Sequence, residues 1–150
     1  MAENADLIKL YSGRILALAA AIPHLGRLEA PMASVRRRAP LCGSTVTVDL
    51  DLTDGRVSRF AQEVRACALG QAAASVTGAG VIGATPEQLA AARDGLRAML
   101  AEGAEPPAAP FDDFAVLLPA REFRNRHASI LLAIEAAVEA AEAARAAACA

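Results

Sequence analysis

Apolar residues recur along this chain with two different periods, and the switches between them mark its elements. From Ala5 to Ala21, Leu7, Leu10, Ile15, Leu18 and Ile22 return at helical spacing, and Pro23 stops the run. Residues 23–40 read as loop, punctuated by Pro23, Gly26, Pro31 and Pro40. The run Arg36-Arg37-Arg38 within them reads as a solvated face in preference to an anion patch. Thr45–Leu52 then alternates. Val46, Val48, Leu50 and Leu52 face one way, and Thr45, Thr47, Asp49 and Asp51 face the other, the pattern of a half-buried strand. Thr53-Asp54-Gly55 is a hairpin signal, and Arg56–Arg65 follows as a second strand with Val57, Phe60 and Val64 as its apolar contacts. The pair should be antiparallel, with one face in solvent and one packed on helices.

The period returns to helical beyond residue 66. Cys67–Thr77 is dense in small residues and reads as a tightly packed helix beginning at or near Cys67. Thr85-Pro86-Glu87-Gln88 is a strong helix start, with Thr85 as N-cap, Pro86 in the first turn and Gln88 closing a capping box. That helix should run to about Leu100 and end at Gly103. A Pro/Ala loop, Glu105–Pro110, precedes a short buried segment with Phe111, Phe114, Val116, Leu117 and Leu118. From about Arg126 to Ala148 a last helix carries Ile130, Leu131, Ile134, Ala137 and Val138 as its stripe, and its tail from about residue 142 is expected to fray. The order predicts one α+β domain over residues 1–150, a small hairpin-based antiparallel sheet covered on one face by helices.

Composition narrows the function classes. Thirty-nine alanines supply nearly half of a 55% hydrophobic content, while aromatics make up 3%, so the core rests on Leu, Ile and Val with Ala allowing close helix contacts. A net charge of −2 offers no basic excess for nucleic acid and excludes a charge-rich disordered chain. Residues 66–86 form the longest uncharged stretch, but four glycines and several polar residues argue against a membrane span. Glu3 and Asp6 precede any basic residue, opposite to a targeting peptide, so the expected location is cytoplasmic and the three cysteines should be reduced thiols.

Two of those cysteines are brought together by the hairpin itself. If it closes at residues 53–55, the arms back to Cys42 and forward to Cys67 are equal, about a dozen residues each along strands of roughly 33 Å. Cys67 would also lie at a helix N-terminus, which favours the thiolate that ligates metal or attacks sulfur. His127 is the best third ligand, His24 a weaker one, and Ser44 a weak oxygen donor. Buried free cysteines are common, so this set alone reads either as a soft-metal site or as core thiols.

The stretches Ala39-Pro40-Leu41-Cys42-Gly43-Ser44, Cys67-Ala68-Leu69-Gly70-Gln71 and Arg126-His127-Ala128-Ser129-Ile130-Leu131 resemble the U-type iron–sulfur cluster scaffold family, which includes the NifU N-terminal domain, IscU and SufU. The resemblance spans about Leu7 to Ala141. It aligns Cys42 and Cys67 with the family's first two ligand cysteines, and the long stretch after Cys67 is similar to the SufU branch. Ser44 stands where the family has an Asp, and Ala128 where it has its third cysteine; a shift by one would put His127 there instead. The resemblance implies a scaffold rather than an enzyme, holding a transient [2Fe–2S] cluster or zinc at Cys42, Cys67 and His127. It further implies Cys67 as sulfur acceptor, a cysteine desulfurase as donor, apo-proteins as recipients, and a monomer or weak homo-oligomer. The missing thiolate keeps an alternative open: a degenerate paralogue that binds or regulates the sulfur-mobilisation machinery without holding a cluster. Cys149 could replace the lost thiol only if the tail folded back.

Overall fold

A computed structural model describes residues 12–149. Its order is α1 (Gly13–Ala20), β1 (Ala33–Arg38), β2 (Thr45–Thr53), β3 (Arg56–Arg65), α2 (Ala68–Gly80), α3 (Pro86–Glu102), two 3-10 segments (Asp112–Glu122 and Arg124–Arg126) and α4 (His127–Ala148). The strands form one antiparallel sheet in the order β1-β2-β3, so the α+β class stands. Leu7, Leu10 and the start of the first predicted helix lie outside the described residues. Among the described residues, no helix is long and apolar enough to cross a membrane.

The local signals hold. Asp54 and Gly55 both take positive φ, +54° and +77°, as the primed two-residue hairpin turn requires. The Thr85 hydroxyl accepts from the Gln88 amide while the Gln88 side chain accepts from the Thr85 amide, and Gly103 ends α3 at φ +70°.

Two expectations are corrected. Ala33–Arg38 is a strand, not loop, and its register Arg37↔Val46 turns Arg37 toward α4, where it pairs with Glu135 and Glu139. Only Arg36 and Arg38 of the arginine run therefore face outward. Phe111, Phe114, Leu117 and Ala120 are buried at intervals of three, which is the period of a 3-10 helix, whereas Leu118, expected in the buried segment, is exposed, and Pro119 lies within the helix. The last helix runs to Ala148, with Ala144 buried and Arg145 ion-paired to Glu87.

Helix α4 is the spine. It packs against β1 and β2 on one side and α2 and α3 on the others. Ala133, Ala136, Ala137, Ala140, Ala141 and Ala144 are all buried along it, so the alanine load lets three layers approach closely. The outward face of the sheet is only partly in solvent. Residues 24–32 cross it, beginning with a parallel bridge of Leu25 to Gln62 at the β3 edge. The crossing buries the Asp49 side chain completely. Its carboxylate accepts from Arg27 Nε (2.7 Å), Arg27 Nη2 (3.1 Å), the Ser34 hydroxyl (2.6 Å) and the Leu28 amide (3.0 Å). Burial pushes the Asp49 pKa up, but these hydrogen bonds and the Arg27 charge outweigh it, and the carboxyl sits below its ordinary value.

Candidate functional site

Cys42 occupies the loop that joins β1 to β2. The Ala39 amide donates to the Ser44 carbonyl (2.8 Å), the Gly43 amide donates to the Ala39 carbonyl (3.0 Å), and Gly43 turns the chain at φ +72°. This closure leaves Cys42 exposed at the end of the sheet. Cys67 is the N-cap residue of α2 and is half-buried. The β2–β3 register, with Thr45 opposite Arg65, brings these two positions to the same end of the hairpin.

A pair of hydroxyls links the thiols. Cys42 Sγ lies 3.1 Å from Ser44 Oγ, Ser44 Oγ lies 3.2 Å from Ser129 Oγ, and Ser129 Oγ lies 3.6 Å from Cys67 Sγ. Ser44 and Ser129 are both buried. Ser129 comes from the first turn of α4, so the N-termini of α2 and α4 converge here. Gly70 makes the convergence possible: a Cβ there would lie 2.6 Å from Ser129 Oγ and 2.8 Å from the Ala66 Cβ.

The Ser44 hydroxyl and backbone amide hold the Cys42 pKa below the ordinary thiol value against the opposing effect of burial, with a lesser contribution from the Ser129 hydroxyl. A lowered pKa enlarges the thiolate fraction at neutral pH. Ser44→Ala should therefore slow alkylation of Cys42 by iodoacetamide at pH 7, with the difference vanishing well above pH 9, where both proteins are thiolate. Mass-spectrometric rates per cysteine check this, and equal rates at pH 7 would sink it.

The remaining predicted donors are placed elsewhere. His127 Nε2 donates to the carbonyls of Ala120 (3.0 Å) and Arg121 (3.1 Å), so its ring is held by the preceding 3-10 segment and not by the thiols. His24 packs edge-on against Phe60 at 6.0 Å. Cys149 closes α4 at its other end, 22 residues or roughly 33 Å of helix from the thiol pair. Ala128 is exposed in the first turn of α4. Among the described residues, no three of His, Cys, Asp and Glu converge. Two thiols and two hydroxyls fall short of the four ligands of a closed zinc site, so no zinc chemistry follows from this arrangement. Ser129 was missed in the sequence because a serine inside an Ala-rich helix carries no local signal. Only the approach allowed by Gly70 makes it part of the site.

The chain is similar to several solved structures. It is 42% identical to the N-terminal part of a nitrogen-fixing NifU-like protein from Brucella abortus, over 94% of this chain and 98% of that one, with a TM-score of 0.91. A protein assigned as an iron–sulfur cluster assembly scaffold for the SUF system, from Fervidobacterium islandicum AW-1, shares the fold at 20% identity and a TM-score of 0.78, over 89% of this chain and 98% of that one. A hypothetical protein of known structure is 25% identical, with a TM-score of 0.75 over 90% and 98%. No protein-family model matches the chain, and no curated protein matches it.

Proposed function

Because this chain belongs to the NifU-like N-terminal domain family, we propose that it is a scaffold for iron–sulfur cluster assembly, with Cys42 and Cys67 as the thiolates that receive the cargo. The observation that carries this is the convergence of both thiols on the Ser44–Ser129 hydroxyl pair. A scaffold must bind its cargo and then release it. Two thiolates backed by hydroxyls suit that better than the four cysteines that hold a permanent [2Fe–2S] centre. His127, two residues before Ser129 in the first turn of α4, is the third ligand of this proposal, with Ser44 as a weak oxygen donor.

Sulfur arrives as a persulfide from a cysteine desulfurase. A thiolate of this chain attacks the terminal sulfur of the donor persulfide. A new S–S bond forms, the donor's S–S bond breaks, and the donor leaves as a thiolate, so sulfane sulfur moves without an external oxidant. Cys67 was the acceptor expected from the sequence; the exposure of Cys42 and its lowered pKa support Cys42 for the first attack. Cluster formation then needs two electrons per sulfur, from an external reductant such as a thiol or an electron-transfer protein, to bring the sulfane sulfur to sulfide; the completed cluster passes to apo-proteins, and the chain acts as carrier, not catalyst.

The shortfall in thiolates favours one other reading, a degenerate paralogue that accepts or regulates sulfur transfer without holding a cluster. Incubation with a persulfidated desulfurase, followed by mass spectrometry, tests the sulfur step. The expected result is a mass gain of one sulfur atom, lost in Cys42→Ser. No gain on either cysteine would remove sulfur acceptance from the account.

A further inference from the structure

The outward face of the sheet carries a second feature that the thiols do not use. Residues two apart on a strand share a face, and the register stacks them into rows. One row is Arg36, Thr47 and Glu63; the next, nearer the thiols, is Arg38, Thr45 and Arg65. Between them lies a cleft of about 440 Å³, lined by Arg27, Arg36, Arg65, Thr45, Thr47 and Glu63 among others. Arg27 is committed to the buried Asp49 and lies 3.8 Å from Glu63. Arg36, Arg38 and Arg65 are exposed and, among the described residues, none of them is ion-paired, which sets them apart from Arg37, Arg59, Arg97 and Arg145.

We propose that this face docks an extended acidic segment of a partner protein, with carboxylates at alternate positions read by Arg36 in one row and by Arg38 and Arg65 in the next. The spacing selects the ligand. Successive rows are about 6.8 Å apart, the same interval at which an extended chain repeats side chains on one side. A single phosphate or carboxylate spans one row; a Glu-x-Glu segment spans both. Thr45, between Arg38 and Arg65 in its row, and Thr47, beside Arg36 in the other, line the same cleft and offer hydroxyls as further donors to carboxylate oxygens. Nucleic acid fits less well, because the outward rows hold no aromatic side chain for base stacking.

The track leads to the working end. Arg38 Nη2 lies 3.9 Å from the place a Gly43 Cβ would occupy, so its charge reaches the loop that carries Cys42. A partner gripped by its acidic segment would be oriented with adjoining residues over the two thiols. Charge complementarity of this kind steers encounter and fixes register. The functional meaning of that placement rests on the cluster-assembly reading, whereas the docking itself does not.

Fluorescence anisotropy on the full chain tests it, without iron or sulfide, so that either idea can fail alone. The probe is a labelled peptide of four Glu-Thr repeats. Its comparators are a Gln-Thr peptide, an equally charged peptide with its glutamates in one block, and a single-stranded oligothymidine of matching charge. Saturable binding of the Glu-Thr peptide is expected, weakened about tenfold by Arg36→Gln with Arg65→Gln and changed less than about twofold by Arg93→Gln. Circular dichroism checks that each variant is folded; all three side chains lie at the surface or its margin. Equal binding by the double variant, equal binding of the block peptide, or tighter binding of oligothymidine would each overturn the proposal.

Discussion

Replacing Asp49 with alanine is expected to lower the unfolding free energy by about 3 kcal/mol, one of the two largest losses from a single substitution in this chain. The side chain is fully buried and accepts four hydrogen bonds, three of them charged or from a hydroxyl at 2.7 Å or less or in a bidentate pair. Removing it strands the Leu28 amide and frees Arg27, whose side chain is half-exposed and can be rehydrated, so the loss stays below that of two stranded charges. Those bonds also hold the segment 24–32 across the sheet. Glu63→Gln, which removes only the 3.8 Å surface contact with Arg27, should cost less than about 0.5 kcal/mol. Chemical denaturation measures both. The pH dependence follows from the direction of the shift. A carboxyl with a pKa below its unfolded value, about 3.9, stabilises the fold fully above that value and loses the contribution as pH falls through the folded pKa. Wild type should therefore lose its advantage over Asp49→Asn below about pH 4. A difference between the two that is unchanged down to pH 2 would contradict this account of Asp49.

Gly70→Val should be comparably damaging, about 3 kcal/mol, and should also disturb the thiol site. Rotation of Ser129 could relieve the 2.6 Å approach to its hydroxyl. It cannot relieve the 2.8 Å approach to the Ala66 Cβ or the 3.2 Å approach to the Ser129 carbonyl, so α2 and the start of α4 must separate. Gly13→Ala is the control, because a Cβ there meets nothing within 4 Å. It should be neutral or slightly stabilising. Thermal unfolding of the three proteins decides the matter: a Gly70→Val protein as stable as Gly13→Ala would mean that the close approach is not structural.

How much of this could be read from the sequence depends on how local each signal is. The β2–β3 turn, the Thr85 capping box and the Gly103 stop are set within four residues, and all three appear where the sequence puts them. The convergence of Cys42 and Cys67 followed from equal hairpin arms, which needs only one turn to be right. Strand β1 was hidden because three arginines in a row erase the alternation, although Arg37 faces α4 and its neighbours face out. Asp49 reads as a solvent residue on an alternating strand; its burial is produced by a loop from another part of the chain. His127 was correctly seen at the start of the last helix, but which partners its ring takes depends on the 3-10 segment folding back beside it. Non-local contacts of this kind leave no periodic trace.

Cys42 and Cys67 are the proposed cluster-assembly site. Anaerobic reconstitution with iron and a sulfide source, followed by the visible spectrum and by iron and sulfide analysis after desalting, tests it most directly. The predicted result is cluster absorption with matching iron and sulfide in the wild-type chain, and loss of both in Cys42→Ser and in Cys67→Ser proteins that keep the wild-type circular dichroism. Wild-type protein that retains neither iron nor sulfide, or variants that retain as much as wild type, would contradict it.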